Sequence, residues 1–242
     1  MASVFEGLAA LRQHEAEKEA SSGSRVNWLK VEPDETVEIV FLQEMDGSSD
    51  RYIEDNGLVV FAQEHSNPDQ FMKRVVCTNN EDYDGQCWAC QKNQQMWNAN
   101  ANIQNEKDKY KGGWKPKTNM YVNVLVRREG KDDEIAVLSR TRSKMSYVDQ
   151  LIEDAVDEGF ISNRWYRLAR TGEGRDTTYR LKGLKDANLD LSEYSDKLFD
   201  LSALLTEVDY GAQPGALGVV VAPQRVDVPA DEDSDDDGDS WL

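Results

Sequence analysis

A chain of 242 residues can bury one sizeable core, and its net charge of −18 would at first sight exclude a nucleic-acid binder. The acid is unevenly placed, because residues 227–242 hold eight Asp/Glu and no Lys or Arg, leaving 38 acids against 28 bases elsewhere. No stretch approaches the roughly 20 apolar residues of a membrane span, Glu6 and Arg12 interrupt the apolar run that a signal peptide needs, and an odd cysteine count argues against a secreted disulfide framework, so a soluble cytosolic protein is expected.

Residues 1–24 read as a helical arm and linker. Ser3 and Glu6 make a capping box, Val4, Phe5, Leu8 and Leu11 share one face, and residues 21–24 (SSGS) form the linker. A core is expected over residues 25–222. Residues 36–42 (TVEIVFL) form a β-branched strand after a Pro33-Asp34 turn, and residues 57–63 a second, with His65 just past its end. Residues 91–111 look helical, with Met96 and Trp97 inward and Gly112-Gly113 as the stop. Residues 119–127 and 134–139 pair as a hairpin across Gly130, Lys131 and Asp132. A helix over residues 146–158 has Ser146 and Asp149 as capping box, Val148, Leu151, Ile152, Ala155 and Val156 as core stripe, and Gly159 as stop. Residues 165–170 and 177–182 form a second hairpin, and residues 198–208 a short helix. Residues 223–242 are low-complexity acid ending in Trp241 and Leu242, a composition that cannot bury a core and predicts a disordered tail. Short strands in hairpins, with one helix before the last pair, predict a mainly β fold with α insertions, a five-stranded Greek-key barrel of the oligonucleotide-binding (OB) type. A β-sandwich is the alternative.

The motif with most chemistry is His65, Cys77, Cys87 and Cys90, which uses every cysteine and one of two histidines. The spacing His-x11-Cys-x9-Cys-x2-Cys can close a tetrahedron around one Zn²⁺. Four protein ligands leave no open position, so the predicted zinc is structural, in a subdomain of about residues 62–112.

Sequence-independent single-strand binders combine a cationic groove with aromatic platforms. Three segments supply both: Lys107, Lys109, Lys111, Trp114, Lys115 and Lys117; Arg140, Arg142 and Lys144; and the hairpin with Trp165, Arg167, Arg170, Arg175, Arg180 and Lys182. Alternation assigns Tyr166, Leu168, Tyr179 and Leu181 to the core, and Trp165, Arg167, Arg180 and Lys182 to the groove. A one-residue slip would exchange the faces. Trp241 and Leu242 at the end of an acidic tether are candidate partner-binding anchors.

Together the metal spacing, the hairpin RLARTGEGRDTTYRL, the N-terminal arm and the acidic tail resemble the phage single-stranded DNA-binding proteins of the T-even helix-destabilising type. The resemblance implies an OB-fold core with a zinc subdomain, coating of single-stranded DNA in replication, recombination and repair, and recruitment of polymerase, helicase or primase machinery and recombination proteins through the tail. For a phage protein it also implies the host bacterial cytoplasm. In that family a basic arm drives cooperative binding. Here residues 1–20 carry Arg12 and Lys18 against Glu6, Glu15, Glu17 and Glu19, so self-association through the apolar face of the arm is the substitute.

Two rivals compete with this reading. A zinc-stabilised protein-interaction adaptor, or a DNA mimic working through its acid, would bind replication proteins and ignore DNA. A metal-dependent nuclease is disfavoured, since the one metal set is closed and the other histidine, His14, lies in the arm. A non-enzymatic binder is expected.

Overall fold

The computed structural model describes residues 26–101, 113–143 and 146–219. The expected N-terminal helix, the acidic tail with Trp241 and Leu242, and Lys107, Lys109, Lys111 and Lys144 lie outside the described residues, as does the side chain of Arg175.

The described residues form a mainly antiparallel seven-stranded sheet with a few helices. Its strands are β1 (Thr36–Phe41), β2 (Val60–Ser66), β3 (Arg74–Val76), β4 (Lys117–Arg127), β5 (Glu134–Thr141), β6 (Arg164–Thr171) and β7 (Thr178–Asp186). The order is β3-β2-β4-β1-β6-β7, with β5 on the other edge of β4. At eleven residues β4 is long enough to pair β2 through its first half and β1 through its second, while β5 runs along most of it. Helix α1 (Trp88–Ala99) follows β3, α2 (Val148–Glu158) precedes β6, and the short α3 (Gln213–Ala216) comes last.

Alternation along the strands separates two apolar faces. Val37, Ile39 and Phe41 of β1, Met120, Val122, Val124 and Val126 of β4, Leu138 of β5, and Tyr166 and Leu168 of β6 fill one core. Helix α2 closes that core with Val148 and Leu151, and Ile152 and Ala155 pack beside them. Val156 falls at the margin of this stripe and is 78% exposed, contrary to expectation. Gly159 ends α2 in the left-handed region at φ 79°, as its position predicts. The predicted capping box does not form. Tyr147 is the N-cap, Ser146 Oγ accepts from the Val148 N–H, and the Asp149 carboxylate takes Arg142 Nε at 2.6 Å.

The opposite face is also apolar and needs its own cover. Residues 187–205 run across it as a strap, bringing Leu191 onto Val40, Leu42, Leu125 and Trp165, and Leu201 onto Ala62, Tyr121 and Val137. The helix predicted for residues 198–208 does not form; a single 3-10 turn at Ser202–Leu204 stands within that span, and another precedes it at Leu191–Lys197. The backbone groups it would have used are committed elsewhere. The Phe199 N–H donates to Asn123 Oδ1 and its carbonyl accepts from Asn123 Nδ2, both at 3.0 Å, and Asp200 Oδ1 accepts the N–H groups of Ser202 and Ala203. Asn123 is fully buried mid-strand, and Gln43 Oε1 accepts from both its backbone N–H (2.9 Å) and Nδ2 (3.2 Å). Among the described residues no helix is long and apolar enough to cross a membrane.

Asn123→Ala leaves both Phe199 groups and Gln43 short of partners, so urea denaturation should show a loss of about 1–3 kcal/mol. A loss under about 0.5 kcal/mol would mean that apolar contact alone holds the strap.

Candidate metal centre and nucleic-acid interface

Three elements deliver the four ligand residues. His65 lies inside β2, paired with Val75, and not beyond the strand as the sequence suggested. Cys77 follows β3 directly. Cys87 is the N-cap of α1, and Cys90 sits in its first turn, with its N–H donating to Cys87 Sγ at 3.4 Å. Asp84 and Gly85, both at positive φ, turn the chain into this knuckle. A helix N-terminus favours thiolate over thiol, which is the form a metal requires.

The ligand atoms all lie within 4.8 Å of one another. His65 Nε2 is 3.4 Å from both Cys87 Sγ and Cys90 Sγ, and Cys77 Sγ is 3.6 Å from Cys90 Sγ. Zn–S bonds of ~2.3 Å and Zn–N bonds of ~2.0–2.1 Å imply tetrahedral edges of about 3.5–3.8 Å, close to these three edges. A second observation supports the fit independently. His65 Nδ1 is 2.5 Å from the Trp114 carbonyl oxygen, which can only accept, so the proton is on Nδ1 and the Nε2 lone pair faces the sulfurs. The thiols also polarise one another. Cys87 is driven down chiefly by a hydrogen bond with Cys77, helped by His65, while that bond and burial drive Cys77 up. Burial raises Cys90. The cluster can therefore hold a metal ion, and its donor set suits zinc.

A further shell comes from residues that the sequence did not single out. Gln213, fully buried on α3, donates from Nε2 to Thr78 Oγ1 at 2.6 Å and accepts the Ala89 N–H on Oε1 at 3.3 Å, with Cys87 Sγ 3.5 Å from that oxygen. Thr78 in turn donates to the Gln86 carbonyl. One amide thus clamps the strand end carrying Cys77 to the helix start carrying Cys87 and Cys90. Leu217 is buried against Val75, Cys87 and Trp114, so this apolar cluster extends past residue 112 into the end of the described chain.

The predicted strand-binding residues divide sharply. Trp114 is buried beside the metal cluster, edge-on to Trp88 at 5.5 Å, and cannot offer its face to a base. Trp165 does lie on the face opposite Tyr166, but the strap covers it and the Arg127 guanidinium sits 4.1 Å over its ring. Both expected platforms are therefore withdrawn from solvent, because large aromatic surface beside uncovered apolar neighbours is worth more buried. Leu168, Leu181 and Tyr166 are in the core as assigned, with Tyr179 packed against it. Arg167 reaches Glu38 at 3.5 Å, Arg142 pairs with Asp149, and Arg180, Lys182, Lys115 and Lys117 are exposed. Arg140 stacks 3.8 Å over Tyr179, and with Arg170 and Lys30 it lines a hollow of about 320 Å³ where β5 and β6 end.

A larger cleft of about 630 Å³ opens between the outer face of β4 and β5 and the β2–β3 hairpin. Trp28, 41% exposed, stands at its edge, with its ring 6.3 Å from that of Tyr121, which forms the floor. Lys30, Lys73 and Arg74 line it together with Met72 and Ser139. Glu64 also lines it, but its carboxylate is buried and accepts from Asn119 Nδ2 (2.7 Å) and the Tyr121 hydroxyl (2.5 Å). Burial above all, then the Glu64 carboxylate, pushes the Tyr121 hydroxyl up to about 12, so Tyr121 is a neutral donor at ordinary pH. Lys30 and Ser139 line both this cleft and the Arg140 hollow, which joins the two. None of Trp28, Lys30, Lys73 or Arg74 stands in a basic cluster, so counting charge in sequence windows missed them.

Comparison with protein-family models, with curated proteins and with solved structures returned no match.

Metal analysis should find one equivalent of zinc, and Cys87→Ser should lower both metal content and Tm. Gln213→Ala keeps all four ligands yet should weaken metal affinity about 10- to 100-fold in a chelator competition, because the clamp on both ligand segments is lost. Unchanged affinity would assign Gln213 to packing alone.

Proposed function

We propose that this protein binds and protects single-stranded DNA without sequence preference during replication, recombination and repair of phage DNA, as a non-enzymatic coat, in the host bacterial cytoplasm. The observation that carries the reading is the cleft beside Trp28. An exposed indole stands over an aromatic floor, with Lys30, Lys73 and Arg74 on the walls and the one lining carboxylate turned inward. Bases stack on such a platform whatever their identity, and ammonium and guanidinium groups take the phosphates. The connected hollow, lined by Arg140, Arg170 and the exposed Glu32, extends the path along the sheet with more cations than acids. In this reading the seven-stranded sheet is a variant of an OB-type barrel, and the outer face of β4 and β5 is its binding surface.

The metal's part is structural. Bound by His65, Cys77, Cys87 and Cys90, zinc would tie β2, β3 and the start of α1 together, and so would hold Lys73 and Arg74 at the wall of the cleft. The eight acids of residues 227–242 would compete with phosphates for the same cations, and Trp241 and Leu242 would anchor replication and recombination proteins. Self-association through the N-terminal arm belongs to the same proposal.

Fluorescence titration with oligo-dT across salt tests the reading, with duplex DNA as the competitor. Sub-micromolar binding with quenching is expected, and deletion of residues 227–242 should tighten it at low salt. Trp28→Ala should weaken binding by roughly 5- to 150-fold, the worth of one stacked base. Equal affinity for duplex and single strand, or no binding by the tail-deleted chain, would overturn the proposal and leave the protein-interaction adaptor.

A further inference from the structure

The β2–β3 connection ends in a tight turn whose two central residues are Phe71 and Met72. The Lys73 N–H donates to the Gln70 carbonyl at 2.7 Å, which makes the pair the middle of a four-residue turn. Such positions favour Gly, Asn, Asp or Pro, and a large apolar residue there gains nothing locally. Phe71 is 69% exposed and Met72 is 79% exposed, and of the other large apolar residues described only Val156, at 78%, is comparable.

The loop that carries them is firmly built. Buried Asn67 donates from Nδ2 to the Leu217 carbonyl at 2.8 Å and accepts the Asp69 N–H at 2.9 Å, while its own N–H donates to the Lys73 carbonyl at 3.1 Å. Arg74 Nε reaches back to the Phe71 carbonyl at 3.4 Å. Behind the tip stands the metal cluster, with Lys73 and the three residues of β3 between Met72 and Cys77. Two bare apolar side chains thus stand on a braced backbone.

Their neighbours say what they meet. Met72 lines the same cleft as Trp28, Lys30, Lys73 and Arg74, so the tip forms part of its rim, and Asp69 is the one acid in the loop of residues 67–73. We propose that Phe71 and Met72 are a base-contacting wedge. They place apolar surface against nucleobases of a strand whose phosphates are held by Lys73 and Arg74, and so separate bases that would otherwise stack on each other. Apolar side chains inserted between bases act in this way where proteins unstack nucleic acid. The inference rests on the single-strand reading and assigns its base-contacting part.

An abasic strand of the same length as oligo-dT separates contacts to bases from contacts to the backbone. In the full chain, Phe71→Ala with Met72→Ala should bind oligo-dT about 10- to 100-fold more weakly, with the salt slope unchanged. The same variant should bind the abasic strand as the unaltered chain does. Lys73→Gln should weaken both strands and reduce the salt slope by about 0.7. Metal content and Tm should not move in either variant, since every replaced side chain is exposed. Equal affinity of the double variant and the unaltered chain for oligo-dT would overturn the wedge alone and leave the tip to a protein partner. Equal losses on both strands would overturn it too, by showing that the turn merely shapes the backbone path. If the unaltered chain binds neither strand, the single-strand reading itself falls and takes the wedge with it.

Discussion

Strand β4 is paired on both edges and buried on both faces, and that double burial governs the rest of the architecture. A strand with one wet face would need a single core. Here Met120, Val122, Val124 and Val126 point into the core beneath α2, while Tyr121 and Leu125 on the other side need a second cover. The strap of residues 187–205 provides it. Asn123 allows both demands to be met, because its amide satisfies the strap's backbone at Phe199 without opening the sheet.

That strap also decides which part of the outer face is left for a ligand. It covers Trp165 and the middle of β4, then passes the edge of β3, where the Thr206 carbonyl accepts the Val76 N–H at 2.8 Å, and leads to α3 at the metal cluster. What remains open is the end of β4 and β5 beside the β2–β3 hairpin, where Trp28 and Tyr121 lie. The metal cluster and the cleft are therefore adjacent for a structural reason. β2 and β3 carry His65 and lead into Cys77, and the turn joining them carries Met72 and Lys73.

Elements with strong local signals were legible from the sequence. β1, β4, β5, the β6–β7 hairpin and α2 all stand close to their expected positions, since β-branched alternation and a clear apolar stripe are read by neighbours in the chain. The four ligand residues were legible too, because the knuckle of Cys87 and Cys90 is a local motif and no other cysteine competes. The strap was misread as a helix, since its conformation is set by Asn123, some 76 residues away. Trp114 and Trp165 were misread as platforms because an aromatic beside cations looks the same in sequence whether or not a remote segment covers it.

What the sequence alone determined is local chemistry: which strands alternate, where α2 stops, and which four side chains suit a metal. Tertiary structure decided which face of each strand meets water, and hence that Trp28, Lys30, Lys73 and Arg74 share one cleft while Trp114 and Trp165 do not. The reason is physical. Burial depends on what packs from far along the chain, and neither the strap nor Gln213 leaves any mark on the residues it covers until the chain has folded back on itself.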